Sequence, residues 1–187
     1  MKKDIFISII VLLTLTVSCN PNHQTTMKEN PQSRWEEQLE AEMPLLGHRN
    51  WIVVTDMAYP LQSAPGIETL YADEDFETVL TKVKASIDSV PHVFAHVYHD
   101  QEMDFLTDSI APGIGKAREI VSQLYGKEAK SMVHEDIITK LDKASKLYKI
   151  LIIKTPLTIP YTSVFLELDC KYWSAERQQQ LDELMRK

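Results

Sequence analysis

Two short apolar runs constrain this chain more than any other feature. Trp51-Ile-Val-Val-Thr55 and Ile150-Leu-Ile-Ile153 are rich in β-branched side chains and are bounded by polar residues. Runs this brief are too short for a buried helix but suit strands covered on both faces of a sheet. Val93–Tyr98, after Pro91, and Val164–Leu168 read as two further strands. Between the strands, apolar residues recur at helical spacing. Phe76, Val79, Leu80, Val83, Ile87 and Val90 form one face, with Asp73 placed to cap it. Ile114, Ala117, Ile120, Val121 and Leu124 form a second face, ended by Gly126. Ile137, Ile138, Leu141 and Ala144 follow a helix start near His134. Arg34–Glu42 predicts a short charged helix that buries Trp35 and Leu39, and a polar helix from Ser174 closes the chain. Strands alternating with helices predict a single α/β domain, a mixed or parallel sheet flanked by helices.

Charge narrows the partners. The 187 residues hold 20 Lys+Arg against 27 Asp+Glu, a net charge of −7. No basic face is available to release counterions from a phosphate backbone, so nucleic acid is excluded as a partner. Two cysteines, Cys19 and Cys170, are too few for a disulfide scaffold.

The first residues read as an address. Lys2 and Lys3 precede an apolar run from Ile5 to Val17, then Ser18 and Cys19. The run is short for a membrane span and suits a secretory signal. A small residue before the cysteine predicts a lipoprotein signal over residues 1–18, with Cys19 lipidated as the mature N-terminus. Residues 19–33 then form a flexible polar tether and residues 34–187 the domain. The expectation is a lipid-anchored protein on the extracytoplasmic side of a bacterial membrane, in the periplasm at the outer membrane.

Three segments hold polar groups that packing does not require. Gly47-His48-Arg49-Asn50 precedes the first strand, and Asp56-Met57-Ala58-Tyr59-Pro60 follows it. His48 and Asp56 therefore fall at opposite ends of a strand, unless the chain curls back or a neighbouring subunit completes the site. His134-Glu135-Asp136 opens a helix, whose dipole disfavours a charged imidazole. Pro160-Tyr161-Thr162-Ser163 opens the last strand with a phenol and two hydroxyls. Imidazole, carboxylate and hydroxyl groups together suit gripping a polyol and moving protons.

GHRNWIVVTDMAYP resembles the opening signature of the D-ribose pyranase / L-fucose mutarotase family (RbsD/FucU), in which Gly-His, an apolar strand and Asp-Ala-x-x-Pro follow in order. His134-Glu135 is similar to that family's His-Glu segment, and Pro160-Tyr161-Thr162-Ser163-Val164 to its Pro-Tyr-Ala-Asn-hydrophobic segment. The three blocks span about Leu45 to Leu168. The resemblance implies a ring-shaped homo-oligomer, often a decamer, with monosaccharide sites at subunit contacts. It further implies interconversion of sugar anomers or ring forms without cofactor or metal. His48 would be the general acid, with Tyr161 as a second catalytic group. Asp56, His134, Tyr161, Thr162 and Ser163 would bind the sugar, with Arg49 and Asn50 in support. Asn50 stands where members usually carry an aspartate beside the histidine, and Thr162-Ser163 where they carry Ala-Asn. Asn50 can orient an imidazole but cannot give it a counter-charge.

Other patterns read as structure. As helix neighbours His92 and His96 would make a zinc pair. Pro91 and the Val, Phe and Tyr content predict a strand instead, with the two histidines about 13 Å apart on one face and His99 on the other. Gly113-x-Gly115 lacks the third glycine and the preceding strand of a dinucleotide loop, and Cys170 reads as a small buried hydrophobe. The second function class is a non-catalytic, lipid-anchored sugar-binding module on the same fold.

Overall fold

The computed structural model describes residues 31–186, so the expected signal, Cys19 and most of the tether lie outside the described residues. Its elements are α1 (Pro31–Glu42), β1 (Trp51–Thr55), β2 (Ile67–Tyr71), α2 (Phe76–Ser89), β3 (Val93–Asp100), α3 (Glu102–Phe105), α4 (Ile114–Tyr125), β4 (Ala129–Met132), α5 (His134–Ala144), β5 (Ile150–Lys154), β6 (Val164–Cys170) and α6 (Ala175–Met185). The strands form one mixed sheet in the order β2-β5-β1-β6-β3-β4. β1, β2 and β5 run parallel, as do β3 and β4, while β6 runs antiparallel between β1 and β3.

β1 and β5 are interior strands, and both faces of each are covered. In β1, Ile52 and Val54 pack into the larger core with α1, α2 and α4, whereas Trp51 and Val53 face Ile137 and Leu141 of α5. This two-sided burial explains the unbroken apolar runs. β2 and β4 were not expected from sequence. They are the edge strands, and IETLY and AKSM lack a continuous apolar pattern because an edge needs less cover.

Two helix starts differ from expectation. α1 begins at Pro31, three residues before Arg34, and Trp35 and Leu39 are buried as foreseen. α2 is capped by Asp75 rather than Asp73. Its carboxylate accepts the Thr78 backbone N–H at 3.0 Å and the Thr78 hydroxyl at 2.6 Å, because the helix starts at buried Phe76. Gly126 ends α4 at φ 52°, and Ser174 caps α6. Among the described residues no helix is long and apolar enough to cross a membrane.

Candidate functional site

The antiparallel insertion of β6 places polar residues at both ends of the sheet. At the carboxyl end, β1, β3 and β5 finish while β6 begins, which gathers Asp56, Asp100, His134 and the Tyr161–Ser163 segment. At the opposite end, β6 finishes beside the segment before β1, which gathers His48, Arg49, Asp169 and His96. The five residues of β1 separate the two ends by about 13 Å.

His48 is set by a tight turn. Asn50 N–H donates to Gly47 O at 3.0 Å, and Gly47 N–H donates to the Asn50 side-chain oxygen at 2.7 Å. The Asn50 amide also donates to Lys149 O at 3.2 Å, so it locks the turn rather than orienting the imidazole. Arg49 completes the turn at φ 73°, a left-handed backbone that costs a side-chain-bearing residue about 1–2 kcal/mol. Paired backbone bonds, Arg49 N–H to Leu168 O at 2.9 Å and Leu168 N–H to Asn50 O at 2.8 Å, then bring the turn alongside the end of β6.

That register brings His48 to Asp169. Nδ1 of His48 lies 2.6 Å from Asp169 Oδ1, and Nε2 of His96 lies 3.1 Å from Asp169 Oδ2. On its other side, His48 Nε2 accepts from Arg49 Nε at 3.0 Å, and Arg49 Nη1 donates to the Tyr148 hydroxyl at 2.9 Å. Burial works against the charge on Asp169, but the Cys170 backbone N–H and the two imidazoles outweigh it and hold the carboxyl below the usual range. The pair stands between two cavities. One, of about 290 Å³, is lined by Arg49, His96, Tyr98, Lys130 and Glu167. The other, of about 710 Å³, opens toward Tyr172, Trp173 and Leu181. Cys170 lines this second cavity and is partly exposed, in contrast to the expected buried position.

At the carboxyl end, His134 Nδ1 donates to Asp100 Oδ1 at 2.9 Å. Its ring meets Tyr161 edge to face at 5.5 Å. Tyr161 also adopts a left-handed backbone, φ 56°, and is partly exposed. The Asp100 side chain is fully buried. Burial pushes its carboxyl up, partly offset by the His134 imidazole and the Ser163 backbone N–H. Asp56 Oδ1 accepts the Ala58 backbone N–H at 2.7 Å. Burial, aided by the Asp100, Asp142 and Asp56 carboxylates, drives the Tyr59 phenol far above its ordinary value. Asp56 and Asp100 thus act on one neighbour.

The two hydroxyls expected to face a sugar turn inward instead. Thr162 Oγ1 donates to Ile159 O at 2.8 Å, and Ser163 Oγ shares a hydrogen bond with Thr55 Oγ1 at 2.8 Å; both residues are buried. They brace the start of β6. His92, just before β3, donates to the Met43 and Leu46 carbonyls at 3.2 and 3.0 Å, and His99 of β3 pairs with Asp104 at 3.1 Å, so the histidines of this segment serve separate settings. Among the described residues no group of three or more His, Cys, Asp or Glu side chains is arranged to hold a metal ion.

The sequence reading missed Asp169 and Asp100 as partners of the two histidines. Asp100 stood next to His99 in a conspicuous cluster, but only strand pairing shows that it meets His134.

No family model matches the sequence, and neither does any curated protein. Among solved structures, the chain is similar to Bacillus subtilis RbsD complexed with D-ribose: TM-score 0.53, 18% identity, covering 71% of this chain and 91% of that one. It is also similar to the fucose mutarotase in complex with L-fucose from Streptococcus pneumoniae, with TM-score 0.49, 17% identity, and coverage of 76% and 98%. At 18% identity the likeness to the RbsD structure is one of fold: a single-domain α/β architecture with a mixed sheet flanked by helices.

Proposed function

We propose that the protein is a monosaccharide mutarotase or pyranase in which His48 moves the proton. The observation that carries this reading is a partly exposed imidazole, tied to a carboxylate at 2.6 Å and flanked by cavities of sugar-accommodating size, on the fold shared with a ribose-bound structure. In the proposed reaction a base takes the proton of the anomeric hydroxyl while the ring oxygen gains one. The bond between the anomeric carbon and the ring oxygen breaks, giving the open-chain aldehyde. Rotation and reclosure by the same steps in reverse yield the other anomer or ring form, with protons and electrons balanced. Positioned acid–base groups contribute about 10²–10⁴-fold, enough for a step that water already performs slowly.

His48 and the Asp56–His134–Tyr161 cluster occupy opposite ends of β1 in one chain. We therefore propose that a site forms between copies in a ring-shaped homo-oligomer, with the His48 end of one copy facing the carboxyl end of its neighbour. There Asp56 and His134 bind sugar hydroxyls and Tyr161 serves the ring oxygen. The proposed setting is extracytoplasmic, with the lipid on Cys19 holding the assembly to the membrane.

Saturation-transfer NMR with ribose, fucose, galactose and glucose tests the activity. The expected result is protein-dependent exchange between forms of one sugar, reduced by about 10²-fold or more in His48→Ala. Binding of a sugar without exchange would favour the non-catalytic module. Exchange at the wild-type rate in His48→Ala would reject His48 as the proton carrier.

A further inference from the structure

The partners of His48 specify where its proton sits. Asp169 is held in its charged form, so it can only accept hydrogen bonds, and it lies 2.6 Å from Nδ1. Arg49 can only donate, and its Nε lies 3.0 Å from Nε2. A neutral imidazole satisfies both only with hydrogen on Nδ1 and a lone pair on Nε2. The second oxygen of Asp169 accepts from His96 at 3.1 Å, so the carboxylate is fixed from two sides. The lone pair is aimed by the same framework, because Arg49 is itself held by the Tyr148 hydroxyl and by the turn at φ 73°.

We infer that Asp169 is the positioning residue of His48, keeping the proton on Nδ1 and presenting Nε2 as the base, with Arg49 Nε occupying the place of the sugar's anomeric hydroxyl. His96 acts only through Asp169, by holding its second oxygen. Lys130, Glu167 and Tyr98 are the other titratable groups facing the smaller cavity, and Cys170 lies on the far side of the pair. The partner carboxylate comes from the far end of β6, 121 residues from His48 in sequence, and supplies the charge that Asn50 cannot. The inference rests on the reading of His48 as the acid–base group, but its first test is independent of activity.

Long-range 1H–15N spectra of the labelled protein read the tautomer directly. The wild type is expected to show a protonated Nδ1 and a bare Nε2 on His48. Asp169→Ala is expected to give a mixture of tautomers and to lower kcat for sugar exchange about tenfold or more, with KM little changed. Asp169→Asn keeps an acceptor without the charge and should retain more of the Nδ1–H form than Asp169→Ala. A wild-type imidazole protonated on Nε2, or an unchanged tautomer in Asp169→Ala, would overturn the inference. If the wild type shows the expected tautomer but exchanges no sugar, the mutarotase reading fails and the positioning role stands. If it exchanges sugar and Asp169→Ala exchanges equally well with an unaltered tautomer, the reverse holds.

Discussion

Asp100 is a carboxylate whose side chain is sealed in the fold, and that burial raises its affinity for a proton. Between the ordinary aspartate value and the raised folded value, the folded chain binds more protons than the unfolded one. Stability supplied through this group is therefore lost as pH rises through that window. Asp100→Asn removes the titration and can still accept from His134. Thermal unfolding followed against pH should show the variant gaining on the wild type as pH climbs through and above the ordinary aspartate range. A constant difference between the two would contradict the assignment. At this scale the sequence was informative only where partners are neighbours. His48, Arg49 and Asn50 form one readable turn, whereas Asp169 lies 121 residues from His48 and 73 from His96. Nothing local to Asp169 marks it, and its role appears only when antiparallel pairing sets Phe94 against Asp169 and His96 against Glu167. The inward turn of Ser163 is equally illegible, since its partner Thr55 lies 108 residues away, whereas Thr162 turns to Ile159 only three residues upstream.

Among elements, α2 shows how a single cap sets a boundary. Its amphipathic face was plain from the spacing, yet Asp73 and Asp75 compete for the cap on sequence alone. The decision falls to Phe76, which is buried at the first helical position. Asp75→Ala should cost about 1 kcal/mol at neutral pH, which corresponds to a melting temperature lower by about 2–4 °C. The Thr78 hydroxyl and backbone N–H hold the Asp75 carboxyl below its ordinary value. Its contribution is therefore present above the unfolded value and fades as pH falls through the folded one. Melting curves of the two proteins should converge in acid, and a deficit that persists there would mean the cap acts by some route other than its charge. The interior strands β1, β5 and β6 were legible because two-sided burial enforces apolar runs. The edge strands β2 and β4 were not, because their pairing depends on β5 and β3 rather than on any pattern of their own.

For the whole molecule, the decisive feature is the distance between two well-built histidine sites. His48 with Asp169 and His134 with Asp100 occupy opposite ends of the same sheet, and the two non-glycine residues with positive φ among those described, Arg49 and Tyr161, mark the same two ends. A head-to-tail ring would bring one end of each copy against the other end of the next. The sequence already placed His48 and Asp56 apart along β1, and the resemblance supplied a reason for it. The direct measurement is subunit complementation. His48→Ala and His134→Ala are prepared separately, each expected to be defective in sugar exchange by NMR, then unfolded and refolded together. The account predicts that the mixture regains exchange well above either parent, because some contacts pair an intact His48 end with an intact His134 end. Exchange no higher than the parents' average, in mixed oligomers verified by native mass spectrometry, would contradict a site shared between copies.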